Sequence, residues 1–153
     1  VAGARTDDGQ RLRDSRRALL AGDVPRTLLA GTNTTIGVVA TDALITKAQA
    51  RRLAVCAHDG LARAINPVHT LSDGDTLFAL GTGLAGKTLG MMVLSTLAAE
   101  ATARATLRAV LGAQSITTPE GLHLPAAVDQ LQFVETQGTD DHHRAIVIVA
   151  VGR

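Results

Sequence analysis

A segment near the middle of the chain matches a phosphate-binding sequence pattern. Residues Gly81 to Thr88, Gly-Thr-Gly-Leu-Ala-Gly-Lys-Thr, fit G-x-x-x-x-G-K-[ST], with Lys87 and Thr88 at the last two positions. In a phosphate loop the backbone N–H groups surround the phosphates, the lysine reaches the terminal phosphates and the hydroxyl binds Mg²⁺. The segment also lies between an apolar run and a helical pattern. Nucleotide binding at Gly81 to Thr88 is therefore one hypothesis for the function.

The rest of the chain gives this hypothesis little support. A nucleotide hydrolase needs a second carboxylate that orders Mg²⁺, usually an aspartate that closes a later apolar strand. The later apolar run, Ala145 to Val151, ends instead in Gly152 and Arg153. We therefore favour a glycine-rich turn between a strand and a helix, with Lys87 in solvent.

A second candidate is a pair of carboxylates separated by one glycine. Asp73 and Asp75 flank Gly74, and alternating positions can bring both carboxylates to the same side of a turn or strand start. Asp-Gly-Asp is also ordinary turn chemistry, and the residue types alone favour the turn. In the same way, Asn33-Thr34-Thr35 by itself predicts only a polar loop before a strand.

The remaining reactive side chains are interpreted as structural. Cys56 is the single cysteine, which excludes an internal disulfide framework and a cysteine-based zinc site, and it lies beside an apolar stripe as a core residue would. Residues Asp140 to His143, Asp-Asp-His-His, could bind a metal, but an exposed polar turn is favoured. His58 and His69 are expected to make structural hydrogen bonds.

The hydrophobic pattern predicts the elements that position these residues. Strands are expected at Thr35–Asp42 and Thr76–Leu80, and a third at Ala145–Val151, which is apolar throughout and therefore expected to be buried on both faces. A capping box at Thr46 to Gln49 begins a helix that ends before Pro67. Its apolar stripe recurs every fourth residue, at Leu53, Ala57, Leu61 and Ile65.

Two further helices are predicted in the second half of the chain. A long helix runs from about Thr88 to Leu111, almost without helix-breaking residues, and a short one is possible from Pro125 to Leu131. The arginines within residues 11–17 are interpreted as the solvated face of a short helix or a linker, and not as a nucleic-acid-binding arm.

The composition excludes several classes of function. The chain has 153 residues, 15 basic against 14 acidic for a formal net charge of +1, so it exerts little attraction on nucleic-acid phosphates. It contains two Phe and no Tyr or Trp, whereas single-strand binders stack bases on aromatic rings. With no apolar run of ~18 residues, we expect a cytoplasmic α/β protein that binds neither nucleic acid nor membrane.

Four separated blocks of the sequence carry a resemblance to a known family: Gly31 to Thr41 (Gly-Thr-Asn-Thr-Thr-Ile-Gly-Val-Val-Ala-Thr), Ala57 to Ile65, His69 to Leu80, and Met91 to Arg104. In this order they resemble the self-cleaving peptidase family of L-aminopeptidase/D-esterases, which also includes β-peptidyl aminopeptidases and nylon-oligomer hydrolases. The resemblance covers roughly residues 1–111, and family members are considerably longer, with additional chain before Val1.

The resemblance implies that a precursor cuts its own backbone between Asn33 and Thr34, and that Thr34 then becomes the nucleophile. The chemistry of threonine fits that role. Its hydroxyl is a poor nucleophile without a nearby base, and the free α-amine of an N-terminal residue is such a base. An α-amine has a reference pKa of about 8, so a good fraction is neutral around pH 7.

The resemblance also implies roles for the carboxylates and an architecture. Asp73 and Asp75 would lie beside Thr34, orient it and tune its amine. The fold would be the C-terminal part of a four-layer α-β-β-α sandwich of the N-terminal-nucleophile type. It would comprise the end of an α-subunit and a linker (1–33), a β-subunit core (34–112) and an atypical tail (113–153).

The expected activity is therefore hydrolysis of amide bonds in short peptides or oligoamides, through an acyl-enzyme on Thr34. Neither a metal nor an organic cofactor is required, and processed αβ units are expected to form a homo-oligomer. Two alternatives stay open at this point: a nucleotide-binding protein centred on Gly81 to Thr88, and an inactive fragment of the hydrolase family.

Overall fold

A computed structural model describes residues 3–4, 6–8, 11–24, 34–124, 126–127 and 146–152, with the backbone alone at 124 and 146–152. The predicted short helix at Pro125 to Leu131 lies almost entirely outside these residues, as do Asn33 and the Asp140 to His143 segment. In chain order the elements are α1 (Ser15–Leu20), β1 (Thr34–Thr41), α2 (Lys47–Ala64), β2 (Thr76–Gly81), α3 (Met91–Gly112), β3 (Ile116–Thr117), β4 (His123–Leu124) and β5 (Ile146–Gly152).

The chain forms two compact units, and each is described by itself. The first comprises Val1–Val24 and Leu107–His142, and the second comprises Pro25–Thr106 and His143–Arg153. Thr34, Asp73 and Asp75 all belong to the second unit. The predicted division into segments 1–33, 34–112 and 113–153 stays a prediction.

The second unit is built on a three-stranded sheet in the order β2-β1-β5. β1 and β2 run parallel, with Ile36 opposite Thr76, and β5 runs antiparallel to β1, with Thr34 opposite Gly152. Parallel neighbours need a crossover connection, which α2 provides. The amino-terminal ends of β1 and β2 therefore meet at one edge of the sheet, and this edge places Thr34 near the residues that precede Thr76.

The three predicted strands are present within two residues of their expected bounds. The predicted burial of the third strand on both faces concerns the side chains of β5, and the structure describes only the backbone of that strand. β1 and β2 alternate in burial, as a sheet covered on one face requires. Val39 and Leu77 point into the core, whereas Ile36, Phe78 and Leu80 on the other face are 49%, 57% and 45% exposed.

The helix α2 forms as its sequence predicts. The Thr46 hydroxyl accepts from the N–H of Gln49 while the Gln49 side chain accepts from the N–H of Thr46, so both halves of the capping box are present. The helix ends at Ala64, ahead of Pro67, because a residue preceding proline is disfavoured in helical conformation. The predicted stripe is buried, with Leu53, Ala57 and Leu61 each at most 1% exposed and Ile65 packed against the same core.

The long helix α3 packs on the same face of the sheet as α2. Leu94 and Ala98 join the core formed by the α2 stripe and the buried strand residues. Gly60 allows the two helices to approach closely, because a Cβ there would lie 2.3 Å from the Ala99 carbonyl oxygen. The expected start at Thr88 was wrong by three residues: α3 begins at Met91, since Thr88 to Gly90 form the end of the preceding loop.

The first unit contains the short helix α1 and the hairpin β3–β4. Asp14 caps α1 by accepting from the N–H of Arg17, and Arg13 pairs with Asp23. Arg16 and Arg17, two of the arginines within residues 11–17, lie exposed on α1, as predicted for the solvated face of a short helix. None of the helices in the described ranges combines the length and apolar content that crossing a bilayer requires.

Candidate functional site

The Thr34 hydroxyl lies against Gly74 at the amino-terminal edge of the sheet. Thr34 is the first residue of β1, and Gly74 lies two residues before the start of β2. A Cβ at residue 74 would lie 2.6 Å from Thr34 Oγ1 but 3.5 and 3.6 Å from its Cγ2 and Cβ. The absence of a side chain at Gly74 therefore leaves room for the hydroxyl oxygen at its observed position.

Asp75 joins this edge of the sheet through the backbone of β1. Its Oδ1 accepts a hydrogen bond from the N–H of Thr35 at 2.9 Å. Its side chain is only 8% exposed, and the second oxygen, Oδ2, lies 3.4 Å from Nδ1 of His69. The carboxylate thus lies between the backbone next to Thr34 and an imidazole from the loop that follows α2.

Asp73 has a different contact. Its Oδ2 accepts from the N–H of Thr70 at 2.7 Å, and its own N–H donates to the Thr70 carbonyl oxygen at 3.1 Å. These two bonds close the loop at residues 70–73 and fix the direction in which the chain enters β2. The structure thus brings Thr34, Gly74 and Asp75 together, whereas the predicted role of Asp73 in orienting Thr34 stays a prediction.

Two histidines lie behind the carboxylate. The rings of His58, on α2, and His69 are 4.9 Å apart between centroids and meet edge-on at 60°. Burial, followed by the neighbouring His69, lowers the pKa of His58, against the opposing effects of Asp75 and Asp59. The His58 ring therefore stays neutral to a lower pH than an isolated imidazole.

Sequence reasoning missed the contact between Gly74 and Thr34 and the link from His69 to Asp75. The Asp-Gly-Asp pattern drew attention to the two carboxylates, and the glycine between them was interpreted only as part of the turn. A parallel pairing of the two strands would have signalled the contact, because it places residue 74 opposite residue 34. No local pattern in the sequence specifies the register on which that pairing depends.

This edge of the sheet combines a hydroxyl, a carboxylate and an imidazole. A carboxylate can hold a neighbouring group in the geometry of attack, and an N-terminal threonine supplies its own base. Among the described residues no group of three or more His, Cys, Asp or Glu side chains is arranged to hold a metal ion.

The segment that matches the phosphate-loop pattern does not have the geometry of a phosphate loop. The N–H groups of Thr82 and Ala85 donate to carbonyl oxygens at the end of β1, both at 2.9 Å, and that of Gly86 donates within the loop at 3.0 Å. These groups would have to point at a ligand. Lys87 and Thr88 precede α3 by several residues instead of opening it. The loop therefore lacks the geometry that nucleotide binding at this pattern requires, and the nucleotide-binding hypothesis is wrong on this point. The structure has the favoured glycine-rich turn between a strand and a helix.

A cavity of about 230 Å³ lies near this turn, at the opposite end of β1 from Thr34. It is mostly apolar, and its lining includes Val39, Leu53, Leu94 and Ala98 from the core together with Lys87 and Thr88 from the turn. Val39, the first residue of β1 that lines it, follows Thr34 by five residues, a distance of about 17 Å at the usual rise of a strand. The cavity is thus not part of the Thr34 site.

Comparison with known proteins gives one family and several relatives. The family model described as peptidase family S58 matches residues 2–124. An uncharacterized aminopeptidase of Mycobacterium tuberculosis (strain ATCC 25618 / H37Rv) is 46% identical over 97 residues, which is 55% of this chain and 28% of the relative. An uncharacterized aminopeptidase of Mycobacterium leprae (strain TN) is 46% identical over 101 residues, 58% of this chain and 28% of the relative. The matched part of the chain thus spans little more than a quarter of the length of these relatives.

Proposed function

The chain belongs to peptidase family S58, and we propose that it is the nucleophile-bearing part of an N-terminal-nucleophile amidohydrolase that cuts itself between Asn33 and Thr34. One observation carries this proposal. The Thr34 hydroxyl occupies the space left by Gly74, next to a carboxylate bound to the adjacent backbone N–H. The names of the two mycobacterial relatives support a peptidase.

In the proposed self-cleavage, Thr34 Oγ attacks the carbonyl carbon of Asn33. The peptide C–N bond breaks, the hydroxyl proton passes to the departing nitrogen, and an ester links Asn33 to Thr34 Oγ. Water hydrolyses this ester, which leaves a carboxylate on Asn33 and a free hydroxyl and α-amine on Thr34. The step consumes one water molecule and unmasks the base that the hydroxyl needs.

In turnover the same two groups act on a substrate amide. The Thr34 amine takes the hydroxyl proton as Oγ attacks the substrate carbonyl, and it returns that proton to the leaving amine. The acyl ester on Oγ is then hydrolysed by water. Asp75, and Asp73 if it turns towards the site, would favour the protonated form of the amine and so strengthen it as a base.

The architecture, substrates, assembly and compartment of the whole protein are part of the same proposal. The exposed apolar face formed by Ile36, Phe78 and Leu80 supports packing against a second sheet, as in an α-β-β-α sandwich. We propose short peptides or oligoamides as substrates, an oligomer of processed αβ units as the assembly and the cytoplasm as the compartment.

Intact-mass spectrometry on the purified chain tests the self-cleavage. We expect fragments 1–33 and 34–153 whose masses together exceed the uncut chain by one water. The fragments should be absent from Thr34→Ala and present in Thr34→Ser, which keeps a hydroxyl. Thr96→Ala, which alters an exposed threonine on α3, is the matched control and should be cut normally. An uncut chain, a cut at another bond, or cleavage that persists in Thr34→Ala would refute the proposal.

A further inference from the structure

His69 is the residue near the site whose placement the self-cleavage chemistry leaves unexplained. Its backbone has a φ of 55°, in the left-handed region that few residues other than glycine adopt. Its side chain is 40% exposed, so burial in the core does not account for this conformation. The conformation instead accompanies a specific contact, since Nδ1 lies 3.4 Å from Asp75 Oδ2.

The contact matters because a carboxylate held by one oxygen alone can still rotate. Asp75 Oδ1 accepts from the N–H of Thr35, and this bond ties the carboxylate to β1. A group on the side of Oδ2 can restrict the remaining rotation, and in the described structure His69 lies there. Because Asp75 is little exposed, water screens a polar contact to its Oδ2 less than it would screen one at the surface. Contacts of this kind are often long before substrate binds and shorten in the reacting complex.

His58 supports the imidazole from behind. Its ring, presented by α2, meets the His69 ring edge-on, which limits where the His69 ring can go. The titratable groups that face this pair are Asp75 and, next to His58 on α2, Asp59. Because its pKa is lowered, the His58 ring stays neutral to a lower pH than an isolated imidazole, so it packs against the His69 ring without adding a charge there.

We propose that His69 is a positioning residue of the Thr34 site: it pairs with Asp75 Oδ2 and so keeps the carboxylate turned to the Thr35 N–H, beside the nucleophile. The role rests on the proposed function, because it matters only if Thr34 reacts. His69 touches no reacting atom, and it acts through Asp75.

The test compares three variants of the chain. His69→Gly removes the imidazole and keeps a residue that adopts positive φ without strain. His69→Asn also tolerates this backbone, and its Nδ2–H donor branches from Cγ as Nδ1 does. Leu71→Asn changes an exposed side chain of the same loop and is the matched control.

Two measurements are made on each variant: the rate of cleavage before Thr34, and the hydrogen exchange of the Thr35 amide. We expect His69→Gly to slow cleavage on the order of ten- to a hundredfold, as a misplacement of about 1 Å does at other sites. The Thr35 amide should exchange faster in the same variant. His69→Asn should recover most of both losses, and Leu71→Asn should behave as the unsubstituted chain.

The outcomes separate this proposal from the function on which it rests. Unchanged cleavage and unchanged Thr35 exchange in His69→Gly would overturn the positioning role, and so would an asparagine variant as impaired as the glycine variant. If the unsubstituted chain is never cut, the proposed function fails, and the effect of His69 on cleavage fails with it. The Thr35 exchange would then still report whether His69 orients Asp75.

Discussion

Gly74→Ala should slow self-cleavage without unfolding the chain. The added methyl carbon would lie 2.6 Å from Thr34 Oγ1, whereas an ordinary van der Waals contact begins at 3.4 Å. The hydroxyl oxygen must therefore move by about 0.8 Å or turn to another rotamer. Since a 1 Å misplacement of a reacting atom costs about 10²-fold, we expect a loss on the order of ten- to a hundredfold, or about 1.4 to 2.7 kcal/mol of barrier.

The effect on stability should be small for two reasons. The other Thr34 atoms near the new methyl lie at 3.5 and 3.6 Å, which is normal contact, so one hydroxyl alone has to give way. Gly74 also has no positive φ, and alanine in place of such a glycine restricts the unfolded chain. The free energy of unfolding should change by less than about 1 kcal/mol.

The assay is a time course of intact mass for Gly74→Ala, the unsubstituted chain and Gly90→Ala, with thermal unfolding of each. Gly90 is the matched control because a Cβ there meets nothing within 4 Å and its φ is not positive. A folded Gly74→Ala variant that is cut at the unsubstituted rate would refute the idea that this glycine makes room for the nucleophile. A variant that fails to fold would contradict the estimate that one atom alone obstructs the methyl group.

Three further predictions concern Thr102 on α3, Gly60 on α2 and His58. Thr102 is fully buried, and its hydroxyl has no hydrogen-bond partner in the described structure. Thr102→Val should therefore raise the free energy of unfolding, measured by chemical denaturation, by about 1 kcal/mol. An unchanged or lower value would show that the hydroxyl has a hydrogen-bond partner. Gly60→Ala should destabilise by about 2 kcal/mol because its methyl meets backbone atoms of α3, whereas Gly112→Ala, which faces open space, should not. Because the pKa of His58 is lowered in the folded chain, the unfolded chain binds more protons than the folded chain as pH falls below about 6.5, and the free energy of unfolding should decrease there. The thermal unfolding midpoint of His58→Gln should therefore fall less between pH 7.5 and pH 5 than that of the unsubstituted chain. An equal fall in both proteins would assign the pH dependence to other groups.

The elements that depend on local chemistry could be predicted from the sequence. The capping box of α2 is closed by residues three positions apart, and its stripe follows the period of a helix, so both are encoded within one short segment. The phosphate-loop pattern shows where such reasoning stops. Its letters match, but the N–H groups of Thr82 and Ala85 donate to carbonyl oxygens at the end of β1, and no local pattern predicts the acceptor of a backbone hydrogen bond.

The candidate site depends on contacts between distant segments. Thr34 and Asp75 are assigned to the site from the resemblance to a family. Their proximity depends on the parallel register of β1 and β2 across a helical crossover. The contact of His69 with Asp75 depends further on the loop that leaves α2. Periodicity predicts neither of these, because strand register is set by packing over the whole sheet.

The central position of β1 has a consequence for what a cut before Thr34 would do. A new chain end ordinarily frays over its first residues unless something ties it down. Here Thr34 faces Gly152 of β5, Ile36 faces Thr76 of β2, and the Thr35 N–H is bound by Asp75. A newly made terminus would be anchored by β5 from its first residue, by Asp75 at its second and by β2 from its third. Cleavage would therefore change the charge and reactivity of Thr34 while leaving its position in the sheet as it was.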